Sequence, residues 1–213
     1  MSVLDSIAEV GVLPVVVLDD PAAAPPLGAA LAAGGLPCVE VTFRTAAAEE
    51  AISRLAGEPD VVVGAGTIVE PGQVDRAVSA GARFIVSPGF DRGVVNRCRA
   101  LDVPVVPGMA TATEAMAALH AGLEMVKLFP AGPLGGLAMV RALAAPFPGL
   151  RFLPTGGIGP QDVAAYLADP AVAAVGGSWV AARTLVREGR FDEVERLARE
   201  AAELVATARG IAA

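Results

Sequence analysis

Lysine is almost absent from this chain, which carries one lysine against fifteen arginines. A coding preference for arginine explains the general scarcity but not the one lysine that remains, Lys127, in the apolar run 123–130. Arginine cannot lose its proton and attack a carbonyl group, whereas a lysine amine in a dry pocket can. The composition therefore leaves two interpretations of Lys127 open, a nucleophile and a buried structural cation.

Histidine and cysteine are scarce as well, with one of the former and two of the latter. His120 falls late in an alanine-rich helical stretch, where the helix dipole favours a cation. Cys38 and Cys98 lack the spacing of metal ligands, and in a reducing compartment both are expected to be small core residues. These scarcities argue against a zinc site.

Aromatic residues make up only 4% of a chain that is 54% hydrophobic, so its core is expected to consist of Ala, Val and Leu. The net charge of −7 argues against nucleic acid as a partner, since phosphate backbones are bound through basic surface. Residues 21–39 carry no charge, but their four prolines and three glycines would break a membrane-spanning helix. No secretory signal precedes them, and we predict a cytoplasmic protein.

Short apolar runs alternate with alanine-rich helical segments at spacings of 20 to 26 residues, beginning near residues 13, 38, 61, 83, 103, 125, 151 and 173. Such alternation predicts parallel strands joined by helical crossovers. Eight units, without a Gly-x-Gly-x-x-Gly turn after the first strand, favour an α/β fold in which residues 1–213 form a single (β/α)8 TIM barrel. We expect an extra N-terminal helix at Ser2–Val10 covering the bottom of the barrel. We also expect a long helix at Phe191–Arg209 with Leu197 and Leu204 on its apolar face.

Two ionisable side chains are predicted to point into this barrel. In the second strand, the period of two places Glu40 opposite to the apolar Val39 and Val41, which face the helices. The same rule turns Lys127 inward from the sixth strand. Inward groups of a narrow barrel can come within hydrogen-bonding reach, so we expect a Glu40–Lys127 pair. A purely structural ion pair is the alternative.

Polar and glycine-rich segments follow the predicted strands, where barrels of this kind carry their reactive groups. Thr67 and Pro88 come after the third and fourth strands. Paired glycines, at 156–157 and 176–177, follow the seventh strand and end the eighth. Their backbone N–H groups are suited to hold a phosphate, with ordinary tight turns as the alternative.

Six segments in the same order resemble one known family: Val39-Glu40-Val41-Thr42-Phe43-Arg44-Thr45, Gly64-Ala65-Gly66-Thr67, Ser87-Pro88-Gly89, Lys127-Leu128-Phe129-Pro130-Ala131, Pro154-Thr155-Gly156-Gly157-Ile158 and Gly176-Gly177-Ser178-Trp179. They resemble 2-dehydro-3-deoxy-6-phosphogluconate aldolase, which is often bifunctional with 4-hydroxy-2-oxoglutarate aldolase. The resemblance implies a class I aldolase of the Entner–Doudoroff pathway. It also implies an enzyme without metal or cofactor, usually a homotrimer, that acts on a phosphorylated 2-keto-3-deoxy sugar acid and pyruvate.

The resemblance also assigns roles. Lys127 matches the Schiff-base lysine and Glu40 the general acid/base, while Arg44 and Thr67 match residues that hold the pyruvate carboxylate and its neighbouring oxygen. Further matches are the pocket walls, Pro88 and Phe129, and the phosphate end, Thr155, Gly156, Gly157, Gly177 and Ser178. One departure follows Ala131, because this chain has Gly132-Pro133-Leu134 where many members carry a glutamate. That loop borders the site, so the preferred aldehyde stays open. The sequence also leaves open the C4 stereochemistry and the balance between phosphorylated and unphosphorylated substrates.

Three other interpretations remain. The aldolase for the galactonate epimer uses the same barrel and lysine chemistry. A pyridoxal-phosphate barrel is disfavoured because Tyr166, the only tyrosine, falls in a helical segment rather than at a strand end. A non-catalytic phosphosugar-binding barrel, in which Lys127 only contacts an anion, would bind ligand without forming an imine.

Overall fold

Strands and helices alternate along the chain in the computed structural model, which describes residues 2–210. The strands are β1 Val12–Val16, β2 Cys38–Thr42, β3 Val62–Gly66, β4 Ile85–Val86, β5 Val105–Val106, β6 Gly108–Met109, β7 Met125–Leu128, β8 Arg151–Phe152 and β9 Val175–Gly177. The α-helices are α1 Val3–Val10, α2 Ala24–Ala33, α3 Ala48–Ala56, α4 Pro71–Ser79, α5 Arg92–Ala100, α6 Ala112–His120, α7 Gly136–Ala144, α8 Val163–Leu167, α9 Arg183–Arg187 and α10 Phe191–Arg209. Short 3-10 helices cover Pro21–Ala23 and Pro160–Asp162.

The strands form a six-stranded sheet in the order β5-β4-β3-β2-β1-β9 and a three-stranded sheet in the order β6-β7-β8. All paired strands are parallel, which confirms the α/β class. Nine strands stand where eight were predicted, because the predicted fifth strand is divided at Pro107, which has no N–H to donate to a ladder. Two isolated parallel bridges, Phe152 to Val172 and Thr155 to Gly176, connect the β8 region with the β9 region.

Two apolar clusters occupy the two faces of the strands. Val39 and Val41 belong to the outer cluster, between strands and helices, as the period of two predicted. Cys38 and Phe84 belong to the inner cluster, which also contains Ile7 of α1. Helix α1 begins one residue later than predicted, because Ser2 is its N-cap and accepts from Asp5 N–H. With Ile7 fully buried, α1 covers the end of the strands where each begins.

Helix α10 has the bounds that the sequence predicted, but its buried stripe is different. Val194, Ala198, Ala201 and Val205 are buried, whereas the predicted Leu197 and Leu204 are only half-buried. Alanine is favoured at the buried position 198 because α10 packs closely on the chain at the end of α2. A methyl group added at Gly34 would lie 2.4 Å from the Ala198 Cβ atom. The sequence pattern predicted that the leucines would be buried, because hydrophobicity alone does not indicate how closely two helices approach.

Arg209, in the last turn of α10, ties this helix to α1. Its guanidinium donates hydrogen bonds to the carbonyls of Glu9 at 2.7 Å, Ala8 at 2.6 Å and Ala173 at 3.1 Å. Two of these carbonyls belong to the last turn of α1, whose C-terminal carbonyls lack intrahelical partners. The contact therefore caps α1 and joins the first and last helices of the described chain.

The cysteines, the histidine and the tyrosine lie in the surroundings that the sequence predicted for them. Cys38 and Cys98 are free thiols in the core, and burial raises the pKa of each to about 12. His120 is exposed in the last turn of α6, and Tyr166 lies in α8. Within residues 2–210, no helix combines the length and apolar character that crossing a membrane requires.

Candidate active site

The centre of the candidate site is a buried ion pair between two strands that are not neighbours. The Lys127 Nζ atom of β7 lies 3.2 Å from Glu40 Oε1 and 3.5 Å from Glu40 Oε2, of β2. Glu40 is 0% exposed and Lys127 is 5% exposed. Replacing a buried pair of this kind with apolar residues is often neutral or stabilising, so stability alone is weak grounds for its presence. The predicted contact between the two side chains is confirmed.

Local strand geometry explains how both groups reach the interior. Glu40 is in register with Gly64 of β3, and its outward neighbours in β2 pack among the helices. Lys127 pairs with Gly108 of β6, and its backbone N–H donates to the Pro107 carbonyl at 2.8 Å. Both partner glycines are closely covered, since a Cβ atom on Gly64 would lie 2.3 Å from the Phe84 ring and one on Gly108 would lie 2.1 Å from the Pro88 carbonyl oxygen.

The Glu40 carboxylate crosses directly over Gly66, the last residue of β3. A Cβ atom placed on Gly66 would lie 2.0 Å from Glu40 Oε1 and 2.5 Å from its Cγ and Cδ atoms. Thr42, the register partner of Gly66, turns its hydroxyl to β1 and donates to the Val16 carbonyl at 2.9 Å. The space above Gly66 is therefore left to the carboxylate.

Phe129 and Pro88 follow the ends of β7 and β4. Lys127 Nζ is 5.4 Å from the centre of the Phe129 ring, which is 37% exposed. Pro88 is half-buried after β4, where the Ser87 hydroxyl donates to the Gly89 carbonyl at 2.8 Å. The aromatic ring gives the amine an apolar neighbour that is partly open to solvent.

The residues matched to carboxylate binding lie in two adjacent turns. Arg44 is exposed two residues beyond the end of β2, and its backbone N–H donates to the Thr42 carbonyl at 2.8 Å. Thr67 follows β3 directly and has a φ of 60°, in the left-handed region that non-glycine residues rarely occupy. Both turns border the strand ends that hold Glu40 and Gly66. Neither residue contacts Lys127 through a hydrogen bond in the described structure.

A glycine turn after β8 is held by the segment that follows β7. Gly156 and Gly157 have φ values of 91° and 77°, which favour glycine. Ala131 N–H donates to the Thr155 carbonyl and Gly132 N–H donates to the Gly156 carbonyl, each at 2.8 Å. In a trans peptide, C=O and N–H point in opposite directions. The N–H groups of Gly156 and Gly157 therefore point away from this segment, and neither donates to another described residue.

The end of β9 lies beside this turn, through the bridge between Thr155 and Gly176. A Cβ atom on Gly176 would lie 2.2 Å from the Thr155 hydroxyl, and one on Gly177 would lie 2.1 Å from the Trp179 ring. Ser178 is exposed at the same end. The predicted phosphate residues are thus brought together at one place. The role of Trp179 in covering Gly177 was not predicted, because no sequence pattern reports that contact.

A cavity of about 480 Å³ lies at the other end of the strands, between α1 and α10. Its walls include Val10, Cys38, Val62 and Val205, around the beginnings of β2 and β3. It contains neither member of the Lys127–Glu40 pair. Reactive groups of parallel α/β sheets lie at the carboxyl ends of strands, so the ion pair marks the candidate site and this cavity does not.

Known proteins match the chain over most of its length. The family described as "Aldolase: KDPG and KHG aldolase" matches residues 3–197. The 2-dehydro-3-deoxy-phosphogluconate aldolase of Treponema pallidum is 45% identical over 96% of this chain and 98% of its own. The protein of that name from Pseudomonas aeruginosa is 44% identical over 94% of this chain and 92% of its own.

Solved structures agree with these matches. The aldolase of Zymomonas mobilis ZM4 with 3-phosphoglycerate superposes with a TM-score of 0.87 at 40% identity, covering 94% of this chain and 95% of its own. The KDPG aldolase of Legionella pneumophila, with pyruvate captured as a covalent carbinolamine, has the same TM-score at 38% identity, covering 92% and 95%. This chain is a carbon–carbon lyase of the aldolase class. It belongs to the KDPG and KHG aldolase family.

Proposed function

We propose that this enzyme cleaves 2-dehydro-3-deoxy-6-phosphogluconate to pyruvate and glyceraldehyde 3-phosphate through an imine on Lys127. The observation that carries the proposal is the buried Lys127–Glu40 pair, with 3.2 Å between Nζ and Oε1. It joins a nucleophilic amine to a proton-transfer group within direct reach. The same site would also accept 4-hydroxy-2-oxoglutarate, which offers the same 2-keto acid end.

The reaction begins when the neutral Lys127 amine attacks the C2 ketone of the sugar acid. The carbinolamine formed in this step loses water, with proton transfers at the Glu40 carboxylate, and becomes an iminium ion. The iminium accepts the electron pair of the C3–C4 bond as that bond breaks. Glu40, which faces Nζ, takes the proton of the C4 hydroxyl, and the aldehyde is released.

The enamine left on Lys127 is then protonated at C3. Glu40 supplies this proton, since it has just received one from the C4 hydroxyl, and water hydrolyses the resulting iminium to pyruvate and free amine. A single carboxylate serves both steps because its protonation state alternates between them. The complete burial of Glu40 supports this assignment, since a dry site strengthens its interactions with the reacting atoms.

Two groups of residues hold the ends of the substrate in this proposal. Arg44 and Thr67 bind the carboxylate and its neighbouring oxygen, while Pro88 and Phe129 form the walls. The phosphate is held at the glycine turn by Gly156 and Gly157 N–H groups together with Thr155, Gly177 and Ser178. Support for a phosphate at this turn comes from the Gly156 and Gly157 N–H groups, which point away from the segment after β7 and donate to no other described residue.

Relatives favour the gluconate epimer over the galactonate epimer. Curated relatives at 39–45% identity carry names of the gluconate enzyme. A structure named "Native KDPGal" is 27% identical, with a TM-score of 0.82. A KHG/KDPG aldolase of Escherichia coli, at 40% identity over 90% of this chain, supports the second activity.

Four features of the whole protein belong to the same proposal. We propose that the strands close into one (β/α)8 barrel and that residues 1–213 form one domain. Support for closure comes from Gly176 N–H, which donates to the Pro154 carbonyl at 2.8 Å, and Ala173 N–H, which donates to the Phe152 carbonyl at 2.9 Å. We further propose a cytoplasmic homotrimer, which light scattering would test against three times the chain mass of 21.4 kDa.

The substrate is tested by an assay that couples pyruvate release to lactate dehydrogenase, with three candidates compared in parallel. We expect the highest kcat/KM with 2-dehydro-3-deoxy-6-phosphogluconate and lower values with its galactonate epimer and with 4-hydroxy-2-oxoglutarate. Preference for the galactonate epimer would replace the proposed substrate. Binding of all three without release of pyruvate would support the non-catalytic interpretation.

A further inference from the structure

Gly66 is a glycine whose backbone conformation does not require glycine. Its φ lies outside the left-handed region, unlike those of Gly156 and Gly157. An alanine could adopt this strand conformation without strain in its backbone. Another cause must therefore explain why a side chain is absent at the end of β3.

The surroundings of Gly66 identify that cause. The three atoms nearest to an added Cβ all belong to the Glu40 side chain, at 2.0, 2.5 and 2.5 Å. These separations are far below van der Waals contact, so the methyl group and the carboxylate cannot occupy their present positions together. Because Glu40 is 0% exposed, its carboxylate has no solvent-filled space in which to retreat.

Two neighbours of Glu40 occupy adjoining space. Its register partner, Gly64, is covered by the Phe84 ring, which an added Cβ would approach to 2.3 Å. Thr42 occupies the side toward β1 through its hydrogen bond to Val16. The carboxylate therefore runs over Gly66 and ends 3.2 Å from Lys127 Nζ.

We infer that Gly66 is a positioning residue of the reaction: its missing side chain opens the path by which the Glu40 carboxylate reaches Lys127. The inference rests on the proposed function, in which Glu40 transfers the protons. Gly66 touches no reacting atom and acts only through Glu40. A catalytic defect at Gly66 must therefore disappear when Glu40 has already lost its carboxylate.

A double-mutant cycle tests this dependence with Gly66→Ala, Glu40→Gln and the double variant. Gly72→Ala in α4 is the matched control, because an added Cβ there has no atom within 4 Å. Kinetics with 2-dehydro-3-deoxy-6-phosphogluconate give kcat and KM for each protein. Deuterium exchange at C3 of pyruvate measures the proton transfer alone, and thermal unfolding monitors the fold.

We expect Gly66→Ala to lower kcat and C3 exchange by about 100-fold or more, the usual range for losing a general acid–base group. KM should stay within about threefold of the wild type. In the Glu40→Gln protein, adding Gly66→Ala should lower kcat by less than about threefold further. The control should match the wild type. Activity of Gly66→Ala near that of the wild type, or an undiminished further loss in the double variant, would overturn the inference.

Two further outcomes are also decisive. If Gly66→Ala does not fold, the clash with Glu40 predicts that Glu40→Ala combined with Gly66→Ala will fold like Glu40→Ala alone. A combined variant that stays unfolded would refute the clash as the cause. A folded wild type that cleaves none of the substrates overturns the proposed function together with the inference. An active wild type in which Gly66→Ala and Glu40→Gln lower kcat independently of each other overturns the inference alone.

Discussion

At the scale of single residues, the chemistry depends on an amine that can become neutral. Lys127 is the one lysine of the chain, and its amine is surrounded by the Glu40 carboxylate and the Phe129 ring. An arginine would keep the positive charge and the ion pair, but its guanidinium cannot form an imine. Charge and nucleophilicity can therefore be separated at this position by one substitution.

We predict that Lys127→Arg lowers kcat to the background of the assay while the protein stays folded. The loss should be at least about 1,000-fold, because the covalent route is removed and not only weakened. Pyruvate release under saturating substrate measures it, and circular dichroism checks the fold. Turnover within tenfold of the wild type would mean that Lys127 acts only as a cation.

The sequence predicted the residues of the pair but not the space around them. The period of two placed Glu40 and Lys127 in the interior, because successive side chains of a strand point to opposite faces and their apolar neighbours face the helices. The route of the carboxylate over Gly66 depends on the packing of Phe84, from a distant part of the chain, and on the hydrogen bond that joins Thr42 to Val16 of the neighbouring strand. No local pattern reports such contacts, so the reason for glycine at position 66 emerged only from the structure.

At the scale of elements, bounds were predicted best where a pattern was long. Helix α10 begins and ends at the predicted residues, and α1 differs by its N-cap. The predicted fifth strand is divided at Pro107, which has no N–H to donate to the ladder, whereas the apolar run predicted a single strand. The pairing of α10 with α1 through Arg209 was also not predicted, since it joins residues 200 positions apart.

We predict that Arg209→Ala lowers the free energy of unfolding by about 1–3 kcal/mol, the range for losing charged hydrogen bonds that are partly buried. The carbonyls of Ala8 and Glu9 would lose their guanidinium partner. Urea unfolding measures the change. Arg199→Ala is the control, because Arg199 is exposed on the same helix and, among the described residues, pairs only with Glu195, so about 0.5 kcal/mol or less is expected. Equal effects of the two substitutions would contradict the capping role.

At the scale of the whole molecule, the fold gathers its polar residues at one end of the strands and closes the other with α1. Both cysteines lie in the apolar interior, at 1% and 0% exposure for Cys38 and Cys98. Burial disfavours the thiolate and raises the pKa of each thiol from an ordinary value near 9.0 to about 12. The thiols thus make the stability of the molecule depend on pH.

The direction of this dependence follows from proton binding. Between pH 9 and 12 the unfolded chain loses thiol protons that the folded protein keeps. The contribution of the thiols to the free energy of unfolding is therefore fully present below pH 9 and is lost as pH rises toward 12. Each thiol contributes up to about 1.4 kcal/mol per pH unit. We predict that Cys98→Ala flattens the decline, measured by urea unfolding at pH 8 to 11. An unchanged slope would show that Cys98 ionises alike in both states.

The central claim is that Lys127 forms an imine with the 2-keto acid. Its most direct test is intact-protein mass spectrometry after incubation with pyruvate and borohydride, followed by peptide mapping, with Lys127→Arg as the control. The account predicts one pyruvyl adduct per chain, on Lys127, and none in the control. A folded wild type without an adduct, or an adduct that persists in the Lys127→Arg protein, would contradict it.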